Sequence, residues 1–117
     1  MAAWCGYFVS YVTRQAGVPL GTEGEGLGAV HSIRRWAIQT GRWRARGPRP
    51  GDLWIKRNIG HVGIVERVDG GSIVSLDGNY DDRVARTHRS RSEIAGFVRL
   101  AVGDRIVGAP PAERSTR

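Results

Sequence analysis

The spacing of apolar residues changes along the chain, from a helical spacing at the start to short strand-like segments later. Between residues 4 and 16, apolar side chains fall at i, i+3, i+4, i+7 and i+11, which is one face of a helix. Gly17 ends this segment, and Pro19 follows. Short segments separated by turn signals begin at Leu53. Helices first and strands afterwards predict an α+β fold with an antiparallel sheet.

The other elements follow from the same patterns and from the glycine and proline positions. A second helix is predicted over residues 29–39, after a glycine-rich loop at residues 21–28. The Pro-Arg-Pro-Gly-Asp segment at residues 48–52 indicates a turn. Strands are predicted at residues 53–56, 61–68, 72–76, 84–87 and 94–100.

Length and composition limit what the chain can be. Its 117 residues fit one domain, and its 40% hydrophobic content is enough for a modest core. No apolar run reaches the roughly 18 residues of a membrane-spanning helix, and no secretory signal is visible. A single cysteine excludes an internal disulfide and a cysteine-based metal cluster. Residues 101–117, with two adjacent prolines and a charged end, are predicted to form a flexible tail.

The chain is basic, with a net charge of +7, and 17 of its 18 basic residues are arginine. This charge is compatible with a polyanionic partner and says nothing about the fold. Two basic runs stand out, at positions 42, 44, 46 and 49 and at positions 83, 86, 89 and 91. Most charge runs are solvated faces, and the alternative is a salt-sensitive attraction to a polyanion. No nucleic-acid fold signature accompanies them, so nucleic acid is not the expected partner.

Cys5 and His61 form a candidate catalytic pair. Cys5 lies near the start of the first predicted helix, and His61 begins a predicted strand. An aligned Cys–His pair provides a thiolate nucleophile and a general base together. Taken alone, a cysteine on an apolar helix face is more often a small buried hydrophobe, and a lone histidine is more often structural. The order of the motifs along the chain favours catalysis.

The predicted hairpin brings a polar partner to the histidine. If three residues form the turn after Val68, then Val68 pairs with Ser72, and His61 lies opposite Asn79. Asp77 is then diagonal to His61 on the same face, because side chains alternate along a strand. An Asp or Asn beside a histidine fixes its tautomer and ring orientation. Both residues remain candidates, although Asx-Gly sequences are also typical of turns.

Six motifs follow one another between residues 4 and 100. They are Trp4-Cys5-Gly6-Tyr7-Phe8-Val9, Trp36, Pro50-Gly51-Asp52-Leu53, His61-Val62-Gly63-Ile64-Val65-Glu66, Asp77-Gly78-Asn79 and Gly96-Phe97-Val98. In this order they resemble the CHAP domain, a family of cysteine- and histidine-dependent amidohydrolases and peptidases related to the NlpC/P60 peptidases. The resemblance implies a papain-like α+β fold, with N-terminal helices packed on a small antiparallel sheet.

The resemblance also implies a catalytic site. Cys5 would be the nucleophile, His61 the general base, and Asp77 with Asn79 the polar residues that support the histidine. The reaction would be hydrolysis of an amide bond in peptidoglycan, either between glycan and stem peptide or within the peptides. No metal or other cofactor is implied.

Aromatic side chains give candidates for substrate contact, and the start of the chain departs from the family pattern. Trp4, Trp54 and Tyr80 are candidates for substrate contact, although packing explains the two tryptophans equally well. Family members commonly carry a segment ahead of the nucleophile helix, and Met1 stands only four residues before Cys5. We therefore expect a catalytic domain at residues 1–100 that lacks this segment. Trp4 also replaces the glutamine of many members, so backbone N–H groups at the helix start would hold the oxyanion.

A monomer that acts at the bacterial cell wall is therefore expected, as in phage lysins, with peptidoglycan as substrate and anionic wall polymers as further partners. Because the chain shows no signal, delivery would depend on a holin, a phage injection device or an upstream region that has been lost. The alternative from another class is a non-catalytic basic module that holds anionic wall polymer or nucleic acid. Thiol modification would leave the function of such a module intact.

Overall fold

The structure is a computed structural model. It describes residues 3–21, 23–24, 26–79, 83–102 and 105–106, and the side chains of residues 5–21, 23–24, 26–78 and 83–100. Two helices come first, and strands follow, which confirms the predicted α+β class. The elements are α1 (Ala3–Gln15), α2 (Val30–Gln39), β1 (Trp43–Arg44), β2 (Leu53–Lys56), β3 (Val62–Asp69), β4 (Ser72–Asn79), β5 (Arg83–Ser90), a 3₁₀ turn (Arg91–Glu93), β6 (Ile94–Val98), β7 (Ala101–Val102) and β8 (Arg105–Ile106).

Strands β1 to β6 form one antiparallel sheet in the order β1-β6-β2-β3-β4-β5. Strand β1 was not predicted, because its two residues give no periodic pattern. Strand β5 is longer than the predicted residues 84–87, since it pairs with β4 along its whole length. Within the segment predicted as a tail, β7 pairs with β8, and residues 107–117 lie outside the described part of the chain.

The β3–β4 hairpin differs from the prediction at its turn and agrees with it near the site. Asp69 pairs with Ser72, so the turn has two residues, and the predicted pairing of Val68 with Ser72 is wrong. Gly70 has a φ of 61°, which glycine adopts without steric cost. A bulge between Val65 and Arg67 then shifts the register by one residue. From Val65 onward toward the site, the pairing is the predicted one, with Ile64 opposite Leu76.

The sheet has a hydrophobic cluster on each face. Helix α1 packs against β3 and β4, and the larger cluster joins both helices to the sheet, with members that include Val9, Ile33, Leu53, Ile55 and Val62. Trp54 lies between Leu53 and Ile55 in sequence, so its side chain points to the opposite face. There it forms the second cluster with Val65, Ile73, Ile94 and Phe97. This second face carries the polar residues of the site.

The predicted turn at residues 48–52 is held by a buried ion pair. Asp52 is 2% exposed, and both of its carboxylate oxygens accept from Arg99, Oδ1 at 2.8 Å from Nε and Oδ2 at 3.0 Å from Nη2. The backbone N–H of Arg49 also donates to Oδ2, at 2.9 Å. Because Asp52 binds both its own turn and Arg99, the residue directly after β6, it fixes where β2 begins.

Candidate active site

Helix α1 brings Cys5 against the start of strand β3. Cys5 is 4% exposed, and its thiol interacts with the imidazole of His61 and with the backbone N–H of Val62. The helix can approach the sheet closely because Gly78 has no side chain. A Cβ atom there would lie 3.0 Å or less from three atoms of Phe8. A glycine on β4 therefore sets the depth at which α1 packs against the sheet.

His61 precedes β3 and contacts the carboxylate of Asp77. Its Nε2 lies 3.2 Å from Oδ1 of Asp77, with 22% and 5% of the two side chains exposed. At this distance the protonated imidazole and the carboxylate form an ion pair. Since Nε2 faces Asp77, Nδ1 is the nitrogen left to face the thiol. The predicted contact between His61 and Asp77 is present.

Charge and burial shift the ionisation of all three groups. Burial works to raise the pKa of the Cys5 thiol, but the His61 contact and backbone N–H groups outweigh it, and the pKa falls below its ordinary value. Burial works to lower the pKa of His61, but Asp77 and Cys5 outweigh it and raise the pKa to about 9. Burial opposes ionisation of Asp77, yet His61 and the other donors hold its pKa well below the usual range. These shifts favour a thiolate beside an imidazolium.

The Asp77 carboxylate is held by a polar network that sequence inspection missed. Ser75 Oγ donates to Oδ1 at 2.6 Å. Thr87 Oγ1 and Arg89 Nη2 donate to Oδ2 at 2.6 Å and 2.9 Å. These residues lie on one face of neighbouring strands, because Ser75 pairs with Thr87 and Asp77 pairs with Ala85. Alternating polar residues on β4 and β5 were the only signal in the sequence, and their pairing was needed to interpret it.

Trp54 belongs to this network and not to a substrate groove. It is 0% exposed, its Nε1 donates to Ser75 Oγ at 2.6 Å, and its ring lies 5.5 Å from that of His61. The predicted substrate contact by Trp54 is therefore wrong, because β2 turns this side chain into the second hydrophobic cluster.

Gly63 leaves the space in which this network sits. A Cβ atom at Gly63 would lie 2.6 Å from both Ser75 Oγ and Trp54 Nε1, and closer still to Asp77 Oδ1. Atoms cannot pack at such distances, so any side chain at this position would displace the carboxylate. The sequence offered Gly63 only as part of a motif, without this steric reason.

The remaining candidates fall outside the described side chains. Asn79 ends β4 and its backbone pairs with Arg83, but its side chain is not described, nor is that of Trp4. Tyr80 also lies outside the described residues. The β3–β4 pairs end at Ile64, so the position of Asn79 opposite His61 stays a prediction.

The described residues also bear on metal binding and on membrane insertion. No group of three or more His, Cys, Asp or Glu side chains there has an arrangement suited to a metal ion. None of the helices in the described ranges is both long and apolar enough to cross a membrane.

Comparisons with known proteins add a family match. The family model of the CHAP domain matches residues 1–79. No curated protein matches the chain. One solved structure, described as "The crystal structure of Ly7917 with the hydrolyzing product of MDP", is 27% identical, with a TM-score of 0.40. The match covers 52% of this chain and 32% of the other, so this chain spans about a third of that protein's length.

Proposed function

This chain belongs to the CHAP domain family, and we propose that it hydrolyses an amide bond of bacterial peptidoglycan with Cys5 as the nucleophile. The bond is either the one between the glycan and the first alanine of the stem peptide or one within the peptides. The proposal places the reaction at the cell wall, within a catalytic unit at residues 1–100, with Cys5, His61 and Asp77 as its central groups.

The observation that carries this proposal is the line of three groups with opposed pKa shifts. His61 stands between a thiol of lowered pKa and a carboxylate 3.2 Å from its Nε2, and its own pKa is raised to about 9. A buried cysteine that merely fills space has no charged partner and an ordinary or raised pKa. The alignment therefore supports a nucleophilic cysteine over a packing one.

The first half of the reaction consumes the ion pair between the Cys5 thiolate and the His61 imidazolium. The Cys5 thiolate attacks the scissile carbonyl carbon, and the carbonyl oxygen becomes an oxyanion, which backbone N–H groups at the start of α1 stabilise. The C–N bond then breaks, and the leaving amine takes the proton from the His61 imidazolium. The product is a thioester on Cys5 and a neutral imidazole, whose orientation Asp77 maintains.

The second half of the reaction regenerates the ion pair between Cys5 and His61. His61 removes a proton from water, and the resulting hydroxide equivalent attacks the thioester carbonyl. The C–S bond breaks, the acid product leaves, and Cys5 departs as a thiolate beside the newly formed imidazolium. No net proton is lost from the pair over the two steps.

Thiol reactivity tests the catalytic pair without any assumption about the substrate. Iodoacetamide should alkylate Cys5 faster than a free peptide thiol across about pH 5 to 8, because the thiolate persists there. His61→Ala should bring the rate down to that of the peptide. His88→Ala is the matched control, since His88 is exposed on β5. Equal rates for the wild type and the peptide at all pH values would refute an activated nucleophile.

Peptidoglycan digestion tests the reaction itself. Purified protein should solubilise cell-wall sacculi and release new amino termini without new reducing sugar ends. Cys5→Ala and His61→Ala should each abolish the release. A new amino terminus on the first alanine of the stem peptide would identify an amidase. Any other new amino terminus would identify an endopeptidase. Lysis that survives Cys5→Ala, or that yields reducing ends, would contradict thiol amidase chemistry.

A further inference from the structure

Arg89 lies on the side of Asp77 away from the histidine, and all of its donor nitrogens are engaged. Its Nη2 donates to Asp77 Oδ2 at 2.9 Å, its Nε to Thr87 Oγ1 at 3.0 Å, and its Nη1 to Glu93 Oε1 at 3.4 Å. The guanidinium also stacks on the Trp54 ring, with 4.9 Å between Cζ and the centroid. Only 21% of the side chain is exposed. The arginine is therefore fixed in one orientation.

We propose that Arg89 is a positioning residue, which holds one oxygen of Asp77 so that the other faces His61. This inference rests on the thiol hydrolysis proposed above and deepens it. Oδ2 is engaged by Thr87 and Arg89, whereas Oδ1 accepts from Ser75 and faces His61 Nε2. A carboxylate turns about its Cβ–Cγ bond, so anchoring Oδ2 fixes the direction of Oδ1.

The hydroxyl groups depend on the arginine in turn. Thr87 Oγ1 accepts from Arg89 Nε and donates its single proton to Asp77 Oδ2. Since a hydroxyl has one proton, the bond from the arginine directs that proton toward the carboxylate. Arg89 thus acts on Oδ2 twice, by its own Nη2 and through Thr87.

Positioning and charge predict opposite effects on His61, which makes the role testable. As a bare charge, the guanidinium repels the imidazolium, so its removal would raise the pKa of His61. As a positioning group, it maintains the 3.2 Å contact between His61 and Asp77, so its removal would lower that pKa. The positioning effect should prevail, because the contact it maintains is direct and buried, where charges interact most strongly.

The experiment is an NMR titration of the histidine ring signals, with His31 and His88 as exposed internal references. In Arg89→Gln, the pKa of His61 should fall from about 9 to about 8 or below. Arg89→Lys should lie between the two, because lysine keeps the charge and loses the planar fork. Arg86→Gln is the matched control, since Arg86 lies on the same strand and pairs with Glu66 instead, and it should leave His61 unchanged.

Kinetics on sacculi add a second readout. Arg89→Gln should lower kcat about 10-fold or more with little change in KM, because the imidazolium is less well held in the transition state. Thr87→Val, which removes one donor to Oδ2 in a similar volume, should produce the same changes at smaller size. It also replaces Arg89→Gln if that variant does not fold.

The outcomes separate the two proposals. A His61 pKa that stays near 9 or rises in folded Arg89 and Thr87 variants would overturn the positioning role. This result can be obtained even from a protein without lytic activity, because the titration needs no substrate. Lysis that survives Cys5→Ala would instead overturn the proposed function, whatever the titration shows.

Discussion

Two buried aspartates, Asp52 and Asp77, each bind an arginine from a distant strand or strand end, and only Asp77 also contacts His61, the neighbour of the proposed nucleophile. Asp52 is 2% exposed and Asp77 is 3% exposed. Arg99 binds Asp52 in a bidentate manner, with one donor on each oxygen, whereas Arg89 binds only Oδ2 of Asp77. Burial and an arginine partner are therefore shared by both, and they do not distinguish structure from catalysis.

The difference lies in what the arginine leaves unoccupied. Both oxygens of Asp52 are bound within its own turn and by Arg99, so its charge is neutralised in place. Asp77 keeps Oδ1 directed at His61, which lies 3.2 Å away, and its charge raises the pKa of that histidine. A buried carboxylate whose two oxygens both bind fixed donors stabilises the fold. A buried carboxylate with one oxygen beside a group that changes protonation can take part in a reaction.

The largest expected effect is the loss of stability in Asp52→Ala. This change leaves the Arg99 guanidinium buried without its counter-charge, which costs about 3–5 kcal/mol in the free energy of unfolding. Urea unfolding at neutral pH should show a lower midpoint with an unchanged slope. Asp69→Ala, at an exposed pair with Arg67, is the control and should shift the midpoint little. A large loss of activity at full stability would reverse the comparison.

Asp77→Asn should have the converse profile, with a large loss of rate and a smaller loss of stability. Without the carboxylate charge, the imidazolium is less stable, and kcat should fall about 100-fold or more. The alkaline limb of the pH–rate profile should also move down from about pH 9, because the pKa of His61 falls when the negative charge is removed.

Asn79→Ala distinguishes the two candidate partners of His61 in the same assay. If Asp77 is the main partner, Asn79→Ala should lower the rate and leave the alkaline limb in place. If Asn79 is the main partner, Asn79→Ala should be the more damaging change and Asp77→Asn nearly silent. If neither substitution changes the rate or the pH–rate profile, the contact between His61 and Asp77 has no role in the reaction.

These results also show which parts of the molecule sequence patterns could predict. Helix α2 and strand β2 were predicted within one residue, because their periodicity is local. The His61–Asp77 contact was predicted from strand alternation, although the assumed turn was one residue too long. The bulge between Val65 and Arg67 compensated for that error, and no local sequence signal marks a bulge of this kind.

The polar network could not be predicted for a different reason. The alternating polar residues of β5 have the pattern of a solvated face, and that pattern is the same whether they meet water or a buried carboxylate. Only the pairing of β5 with β4 shows that Thr87 and Arg89 share a face with Asp77. Burial of Trp54 has the same origin, since it follows from which face of β2 the helices cover.

Gly63→Ala should have an intermediate effect that falls on the Asp77 side of the comparison. The added methyl group would overlap Asp77 Oδ1, Ser75 Oγ and Trp54 Nε1, and overpacking of this kind costs about 1–3 kcal/mol. The carboxylate would also move from His61, so activity per folded molecule should fall. Gly71→Ala is the control, because nothing lies within 4 Å of a Cβ atom there. Full activity in Gly63→Ala would show that the network tolerates displacement.

The smallest expected effect concerns a third carboxylate–arginine pair, Glu66 with Arg86, which has the bidentate geometry of the Asp52–Arg99 pair without its burial. Arg86 binds both oxygens of Glu66, at 2.6 Å and 2.9 Å, and the contact lowers the pKa of Glu66 and raises that of Arg86. Water screens such a pair, and exposed ion pairs contribute little to stability. Glu66→Gln should therefore change the urea midpoint only slightly at low salt, and not at all at high salt. A loss of stability comparable to that of Asp52→Ala would mean that bidentate geometry, rather than burial, determines how much these pairs contribute to the free energy of unfolding.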